Sequence, residues 1–217
     1  MLRDSAGSPS RPHGAAGAKP LVLPHSVSQT ALGGQFGRQH AIAELKPPMP
    51  LEIERRFLVT GQGWRAFAGT PQPLRQGYLA ASKDGVTVRM RLRADGEAWL
   101  TLKAPASGIA RHEFEYPLPT TDAEALWDLA PHRLIKTRYS LALSGGEWVV
   151  DCFEGDNAPL VLAEVELDTA DAPLELPPWC GQEVTRDGRW SNAALAVAPI
   201  ASWPEEVRRR YGFGSHQ

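Results

Sequence analysis

The stretch that decides the fold runs over residues 51–59 and reads Leu-Glu-Ile-Glu-Arg-Arg-Phe-Leu-Val. Residues two apart in an extended strand share one face of the strand. The charged side chains of Glu52, Glu54 and Arg56 therefore lie together, while the apolar residues between them lie on the opposite face. This alternation predicts a strand with one ionisable face and one apolar face.

The same period of two recurs downstream in short runs that are separated by Gly, Pro, Asp or Ser, a pattern typical of antiparallel strands. Eight strands are predicted: Leu51–Leu58, Pro73–Ala80, Gly85–Ala94, Ala98–Ala104, Ala110–Leu118, Leu134–Leu143, Glu147–Phe153 and Leu160–Leu167. Three helices are predicted: Thr121–Leu129, Ser191–Val197 and Pro204–Tyr211. This order of elements predicts an α+β fold, namely an eight-stranded antiparallel β-barrel, or tunnel, with a few flanking helices.

The ionisable faces of these strands are sorted by sign. Arg89 and Arg91 share a face that carries cations, whereas Glu164 and Glu166 share a face that carries carboxylates. For any single strand a solvated face is the simpler interpretation. Strands curved with all charged faces inward would instead enclose a ring of cations and a cluster of carboxylates. Without a ligand, the like charges within each group would repel one another. Because arginine suits phosphate oxygens, the pattern predicts a small polyanion and bound cations as the contents of the lumen.

The composition is that of an ordinary globular protein, with 42% hydrophobic residues, 22% charged residues and a formal net charge of −2. This balance gives no reason to expect nucleic acid or a membrane as a partner, and no apolar run approaches the roughly 20 residues that span a bilayer. Two cysteines without a Cys-x-x-Cys pair or a Cys/His cluster argue against structural zinc and fit a reducing cytoplasm. The oligomeric state stays open, with a homodimer among the alternatives.

Residues 1–48 differ from the rest of the chain because they are rich in Gly, Ala, Ser and Pro and show no apolar periodicity. This composition predicts a disordered N-terminal tail, and Met49 is an alternative start. Residues 49–200 are predicted to form one domain, followed at 201–217 by a C-terminal helix and tail.

The run from Glu52 to Val59 resembles the ExExK signature of the CYTH superfamily, whose members are also called triphosphate tunnel metalloenzymes. The one departure is Arg56, where the signature has Lys, so a planar fork replaces a compact ammonium group. The resemblance covers about residues 50–198. Later elements follow in the order of that family: Leu74–Leu79, Arg89–Arg91, Thr101–Lys103, Arg111–Glu115, Lys136–Tyr139, Glu164–Glu166 and Glu183–Asn192.

The resemblance is strongest to the compact bacterial inorganic triphosphatases, and it implies hydrolysis of inorganic triphosphate or a related small triphosphate with Mg²⁺ or Mn²⁺. The implied metal ligands are Glu52, Glu54, Glu164 and Glu166, with Glu113, Glu115 or Asp151 as further candidates. The implied phosphate ligands are Arg56, Arg89, Arg91, Lys103, Arg111, Lys136 and Arg138, with Arg189 as a further candidate.

Catalytic roles are predicted for two residues. Lys136 either accepts a proton from water, since neighbouring cations such as Arg138 lower its pKa, or binds phosphate. Tyr78 either accepts a proton, with its pKa lowered by cations, or has a packing or hydrogen-bonding role. Arg189 either reaches a phosphate or caps the barrel.

Two other functions compete with hydrolysis. One is a lyase of the adenylate cyclase type acting on ATP, but no residues that would read adenine are identifiable. The other is a non-catalytic module that binds polyphosphate, but such a module has no need of the full set of carboxylates.

Overall fold

A computed structural model describes residues 50–82 and 85–214, so the predictions for residues 1–48 lie outside the described residues. The strands are β1 (Leu51–Val59), β2 (Gln72–Ala81), β3 (Thr87–Arg93), β4 (Ala98–Pro105), β5 (Ala110–Leu118), β6 (His132–Leu141), β7 (Glu147–Phe153), β8 (Val161–Glu166) and β9 (Cys180–Glu183). The α-helices are α1 (Thr120–Leu129), α2 (Asn192–Val197) and α3 (Glu205–Arg210). The eight predicted strands and three predicted helices are confirmed, and β9 is an addition. Over the described ranges, no helix has the length and apolar character needed to cross a membrane.

Hydrogen bonds close the first eight strands into an antiparallel barrel. Their order is β5-β4-β3-β2-β6-β7-β8-β1, and β1 pairs again with β5 to complete the circle. Leu51 and Ile53 in the first half of β1 lie opposite His112 and Ala110 of β5. The second half of the same edge pairs with β9, while β8 pairs along the other edge. The predicted eight-stranded antiparallel barrel is therefore confirmed.

The apolar outer faces of the strands form the main part of the core. Phe57 of β1, Trp148 of β7 and Val165 of β8 are buried in one cluster, which Trp64 and Trp179 from the connecting segments cover. Burial of these large side chains supplies most of the stabilisation that such a sheet can gain.

Helix α1 covers the outer face of β3. Its Ala123 is buried against Met90 and Leu92. Strand β2 and the residue that follows α1 lie close together here, because a Cβ atom added to Gly77 would lie 2.8 Å from the Cβ atom of Ala130. Glycine is therefore required on β2 at this point.

The inner faces are charged along only part of the barrel. At one end they are apolar and pack against Trp190 and Leu195 in a single buried cluster, so the C-terminal segment covers this end. The apolar inner residues in this cluster are Leu58, Tyr78, Leu134, Phe153 and Leu162. The simple prediction of one apolar and one ionisable face is thus incomplete, because this end of the inside also has to be sealed by packing.

The C-terminal segment is fixed by hydrogen bonds as well as by packing. Asn157 donates from Nδ2 to the carbonyl oxygen of Leu195 at 3.1 Å and accepts at Oδ1 from the backbone N–H of Ile200 at 3.0 Å. Trp203 and Tyr211 pack edge-on against Trp190. Chain beyond residue 200 therefore packs on the barrel.

Candidate active site

A cavity of about 1090 Å³ lies within the barrel, and its wall carries charges of both signs. The basic residues of the wall are Arg56, Arg89, Arg91, Lys103, Arg111, Arg138, Arg186 and Arg189. The acidic residues of the wall are Glu52, Glu54, Glu147, Glu164, Glu166 and Asp187. A wall with both signs suits an anion that binds together with cations.

Three arginines of the wall have hydrogen-bond donors that the protein leaves unused. The Nε atoms of Arg89, Arg91 and Arg111 are buried, and none finds an acceptor among the described residues. A buried N–H group without an acceptor costs free energy. Burial, together with the charges of Arg89 and Arg138, lowers the pKa of Arg91 to about 9. All three arginines line the cavity and can meet an anionic ligand there.

The carboxylates of β5 lie beside the cations of β3. Glu115 is 3.4 Å from Nη2 of Arg89 and 3.6 Å from Nη1 of Arg91, and it accepts a hydrogen bond from Thr101 at 2.8 Å. Glu113 is 3.7 Å from Nη2 of Arg89. Both carboxylates thus partly neutralise the cation row.

A second group of ion pairs links β1, β4 and β8. The Nζ atom of Lys103 lies 2.5 Å from Glu52 Oε1. Arg56 forms an ion pair with Glu54 on its own strand and donates from Nε to Glu164 Oε1 at 3.2 Å. The prediction of a lumen whose charges repel one another is therefore incomplete, because each cation row also lies within reach of carboxylates on a neighbouring strand.

Glu166, like Glu147, forms no ion pair within the described part of the chain, whereas the other acidic residues of the wall do. It lies directly opposite Glu54 on β1 and Glu147 on β7. Its pKa is raised by partial burial and by the charges of Glu52, Glu147 and Glu113. Carboxylates that face each other in this way favour binding of a divalent cation.

The four predicted metal ligands do not converge on one point. Within residues 50–82 and 85–214, no three His, Cys, Asp or Glu side chains are grouped closely enough to hold an ion. The physical reason is that Glu164 lies opposite Arg56 rather than opposite Glu54, and that Glu52 is drawn to Lys103. The donor oxygens fit Mg²⁺ or Mn²⁺ in kind.

Lys136 is fully buried behind the cavity wall. Its Nζ atom donates to Asp151 Oδ2 at 2.5 Å and to Asn192 Oδ1 at 2.9 Å. Burial lowers the pKa of Lys136 to about 7; the charge of Asp151 opposes this change, and that of Arg138 adds to it. The predicted lowering is confirmed, but burial is a larger cause than the neighbouring cations.

Asp151 is fully buried between two cations. Arg138 donates to both of its oxygens, at 2.8 and 2.7 Å, and Lys136 donates to Oδ2. Although burial alone would raise it, Arg138 and Lys136 hold the pKa of Asp151 below its usual range. The oxygens of Asp151 thus already accept from these two cations, and a role of Asp151 as a metal ligand stays a prediction.

Tyr78 is 2% exposed and donates from its hydroxyl to Gln76 Oε1 at 3.3 Å. Burial raises the pKa of this phenol, and the opposing charges of Arg89 and Arg91 do not compensate. The predicted lowering of the pKa of Tyr78 is therefore wrong, because transfer of the phenolate out of water outweighs the attraction of the cations.

Arg189 lies at the rim of the cavity with its side chain 49% exposed. It donates from Nη2 to Asp187 at 2.6 Å, and its guanidinium group lies 5.5 Å from the ring centroid of Trp203. These contacts favour the capping role over direct phosphate binding.

Gln76, Glu147 and Asn192 lie at or behind the wall, as do Arg186 and Asp187, and no role was predictable for them from the sequence. The inner-face position of Glu147 could have been predicted, because it lies four residues before Asp151 and hence on the same strand face. Gln76 and Asn192 stand within the runs that resemble the family, but an uncharged amide gives no pattern of its own.

The barrel fold and the charged wall of its cavity place this protein in the class of tunnel-shaped barrels with an ionic lumen. The chain belongs to the CYTH domain family, whose model matches residues 50–191. It is 36% identical to an inorganic triphosphatase of Acetivibrio thermocellus over 159 residues, which are 72% of this chain and 100% of that protein. It is 41% identical to an inorganic triphosphatase of Nitrosomonas europaea over 152 residues, covering 68% and 97% of the two chains. A crystal structure of an inorganic triphosphatase superposes with a TM-score of 0.50 at 39% identity, covering 70% and 96%.

Proposed function

We propose that this protein hydrolyses inorganic triphosphate to pyrophosphate and orthophosphate with the help of Mg²⁺ or Mn²⁺. The observation that carries the proposal is the set of three arginines on the cavity wall, Arg89, Arg91 and Arg111, each of which keeps a buried Nε atom without an acceptor among the described residues. Phosphoryl oxygens are acceptors of the right charge and geometry for guanidinium groups. The relatives named as inorganic triphosphatases support the choice of substrate.

The remaining cations of the wall would hold the other phosphoryl groups. Arg56, Lys103 and Arg138 have carboxylate partners, and a polyanion would compete with those partners for the same N–H groups. Such preorganised cations stabilise the negative charge that develops on the oxygens while a P–O bond breaks.

The carboxylates would hold the metal ions. Glu54 and Glu166 face each other across β1 and β8, and Glu52 and Glu164 are the nearest candidates to complete the set, with Glu113 and Glu115 behind the cations of β3. A bound divalent cation would supply charge neutralisation for the phosphoryl oxygens.

Lys136 would hold the proton that hydrolysis releases. In the step we propose, the oxygen of a water molecule bonds to a terminal phosphorus, the bridging P–O bond breaks, and its electron pair leaves with pyrophosphate. The proton of that water passes to Nζ of Lys136, whose pKa of about 7 suits this exchange at neutral pH. Tyr78 would stay protonated and hydrogen-bonded to Gln76.

The decisive experiment measures phosphate release from tripolyphosphate, ATP, thiamine triphosphate and long polyphosphate with Mg²⁺, Mn²⁺ or chelator. We expect metal-dependent release that is fastest with tripolyphosphate. Formation of cyclic AMP from ATP would instead support the lyase, and tight binding of polyphosphate without turnover would support the binding module.

We also propose that the protein works in the reducing cytoplasm, where the two free thiols of Cys152 and Cys180 would stay reduced. Treatment with an oxidant should leave phosphate release unchanged if neither thiol takes part in the chemistry.

A further inference from the structure

Asn192, the first residue of α2, connects two charged groups of the site. Its Oδ1 atom accepts from Nζ of Lys136 at 2.9 Å, and its Nδ2 atom donates to Glu164 Oε1 at 3.4 Å. The amide orientation is fixed by chemistry, because an ammonium group can only donate and a carboxylate can only accept. Asn192 lies on the cavity wall, whereas Lys136 is buried behind it.

The amine of Lys136 has three positions around nitrogen besides its bond to Cε. Asp151 accepts from one position and Asn192 from a second, so only the third is left. A single acceptor would leave the amine free to rotate about the Cε–Nζ bond. Two acceptors on different elements fix that rotation, and they therefore fix the direction of the remaining position.

The element that carries Asn192 is itself held firmly. Ser191 accepts at Oγ from the backbone N–H of Ala194 at 3.1 Å and so caps α2. Leu195 is fully buried, and its carbonyl oxygen accepts from Asn157. A side chain on such an anchored helix can orient a neighbouring group within narrow limits.

We propose that Asn192 is a positioning residue, which directs the amine of Lys136 and links it to Glu164 across the end of the barrel. The inference rests on the proposed function, because a direction for the amine matters only if Lys136 acts on the bound triphosphate. The C-terminal segment would then complete the active site in addition to sealing the barrel.

The test compares two neighbouring variants. Asn192→Ala should lower kcat for tripolyphosphate at least about tenfold, a loss typical of a supporting residue behind a reactive group. The KM value, and the Kd for tripolyphosphate measured by calorimetry in chelator, should stay within about twofold. Ser191→Ala is the matched comparison, since it loosens the same helix but removes neither hydrogen bond of Asn192; it should lower Tm and reduce kcat clearly less than Asn192→Ala does.

A double-mutant cycle with Lys136→Met then separates positioning from an independent effect. Adding Asn192→Ala to Lys136→Met should cause no further loss of kcat, because the amine that Asn192 directs is gone. If Lys136→Met does not fold, the comparison of Asn192→Ala with Ser191→Ala decides alone.

Three results would overturn the inference: full kcat in Asn192→Ala, an equal loss in Ser191→Ala, or additive losses in the cycle. A rise in Kd with kcat preserved would also overturn it, because Asn192 would then be a substrate ligand. Wild-type protein that is inactive on every triphosphate would overturn the proposed function as well. An active wild type with an equally active Asn192→Ala would overturn this inference only.

Discussion

At the scale of single residues, Arg91 and Arg138 each place a guanidinium group in the wall of the cavity but differ in their carboxylate partners. Arg91 has one carboxylate neighbour, Glu115 at 3.6 Å, and a buried Nε atom without an acceptor. Arg91→Ala should therefore weaken tripolyphosphate binding about ten- to a hundredfold, since it removes a charged donor. Unfolding in urea should show stability unchanged or raised, because repulsion from Arg89 and Arg138 disappears. A clear loss of stability would show that Arg91 is structural.

Arg138 should behave in the opposite way. It donates to both oxygens of the fully buried Asp151 and to Glu164. Arg138→Ala should therefore cost about 3 kcal/mol in unfolding free energy, because a buried carboxylate loses its main partner. Arg91→Ala serves as the matched control in the same urea titration. Equal stability of the two variants would contradict this account of the Arg138–Asp151 pair.

Glu166 gives a prediction about pH, because its folded-state pKa is raised. A carboxylate with a raised pKa favours folding when protonated, and this contribution is lost as the pH rises through the folded pKa. Ionised Glu166 is thus unfavourable at neutral pH, and Glu166→Gln should raise Tm at pH 7 in chelator. The gain should vanish near the ordinary glutamate pKa of about 4.

The same comparison of Tm values can be made with metal in place of chelator. Mg²⁺ or Mn²⁺ should raise Tm of the wild type more than Tm of Glu166→Gln, because the amide is a poorer metal ligand. Glu175→Gln, at an exposed position outside the strands, is the control and should leave both effects unchanged. A larger metal response in Glu166→Gln would exclude Glu166 from the metal site.

What the sequence could predict at this scale was the face of each residue, and what it could not predict was the partner. Alternation placed Glu164 on the inner face, yet only the register between strands sets it opposite Arg56. The burial of a side chain could not be predicted from the sequence either. The charges around Tyr78 were readable from the sequence, but the complete desolvation that raises its pKa depends on packing by distant segments.

At the scale of elements, the strands were predictable because a period of two over seven or more residues is a strong signal. Strand β9 was not, since Cys180–Glu183 has four residues without alternation. Strand β9 forms because it pairs with the edge of β1, where Arg55 donates to both oxygens of Glu183 at 3.0 and 2.7 Å.

The start of α1 shows another limit of local signals. Thr121 and Glu124 have the spacing of a capping box, but Pro119 stands at the N-cap position without a side-chain hydrogen bond. Glu124 accepts instead from Arg75 of β2 at 2.9 Å on both oxygens. A tertiary ion pair thus takes the place of the local hydrogen bonds.

Helix α2 allows a prediction at the same scale. Leu195 is fully buried among the side chains that close one end of the barrel. Leu195→Ala should therefore lower the free energy of unfolding by about 2 to 5 kcal/mol. Val197→Ala on the same helix is the control; its side chain is 48% exposed, so a change within about 0.5 kcal/mol is expected. Equal effects in urea unfolding would mean that α2 is not anchored through Leu195.

At the scale of the whole molecule, deletion of residues 1–48 should leave the domain intact. Within the described residues β1 pairs with β5, β8 and β9, and the deleted segment has no apolar periodicity. We expect Tm within about 2 °C of the full chain and the same rate of phosphate release. A fall in Tm of more than about 5 °C would show that the segment contributes to the fold.

The pairing of β1 with β8 also matters while the chain is being made. Arg56 and Glu164 are 108 residues apart in sequence, so β1 leaves the ribosome long before its partner strand exists. Until then, Phe57 and the unpaired edges of β1 are exposed to other chains, as are slow-folding strands of high contact order in general. No shortened translation product that stops before β8 can enclose a lumen, so triphosphate can be bound only by a chain whose synthesis has passed the last barrel strand.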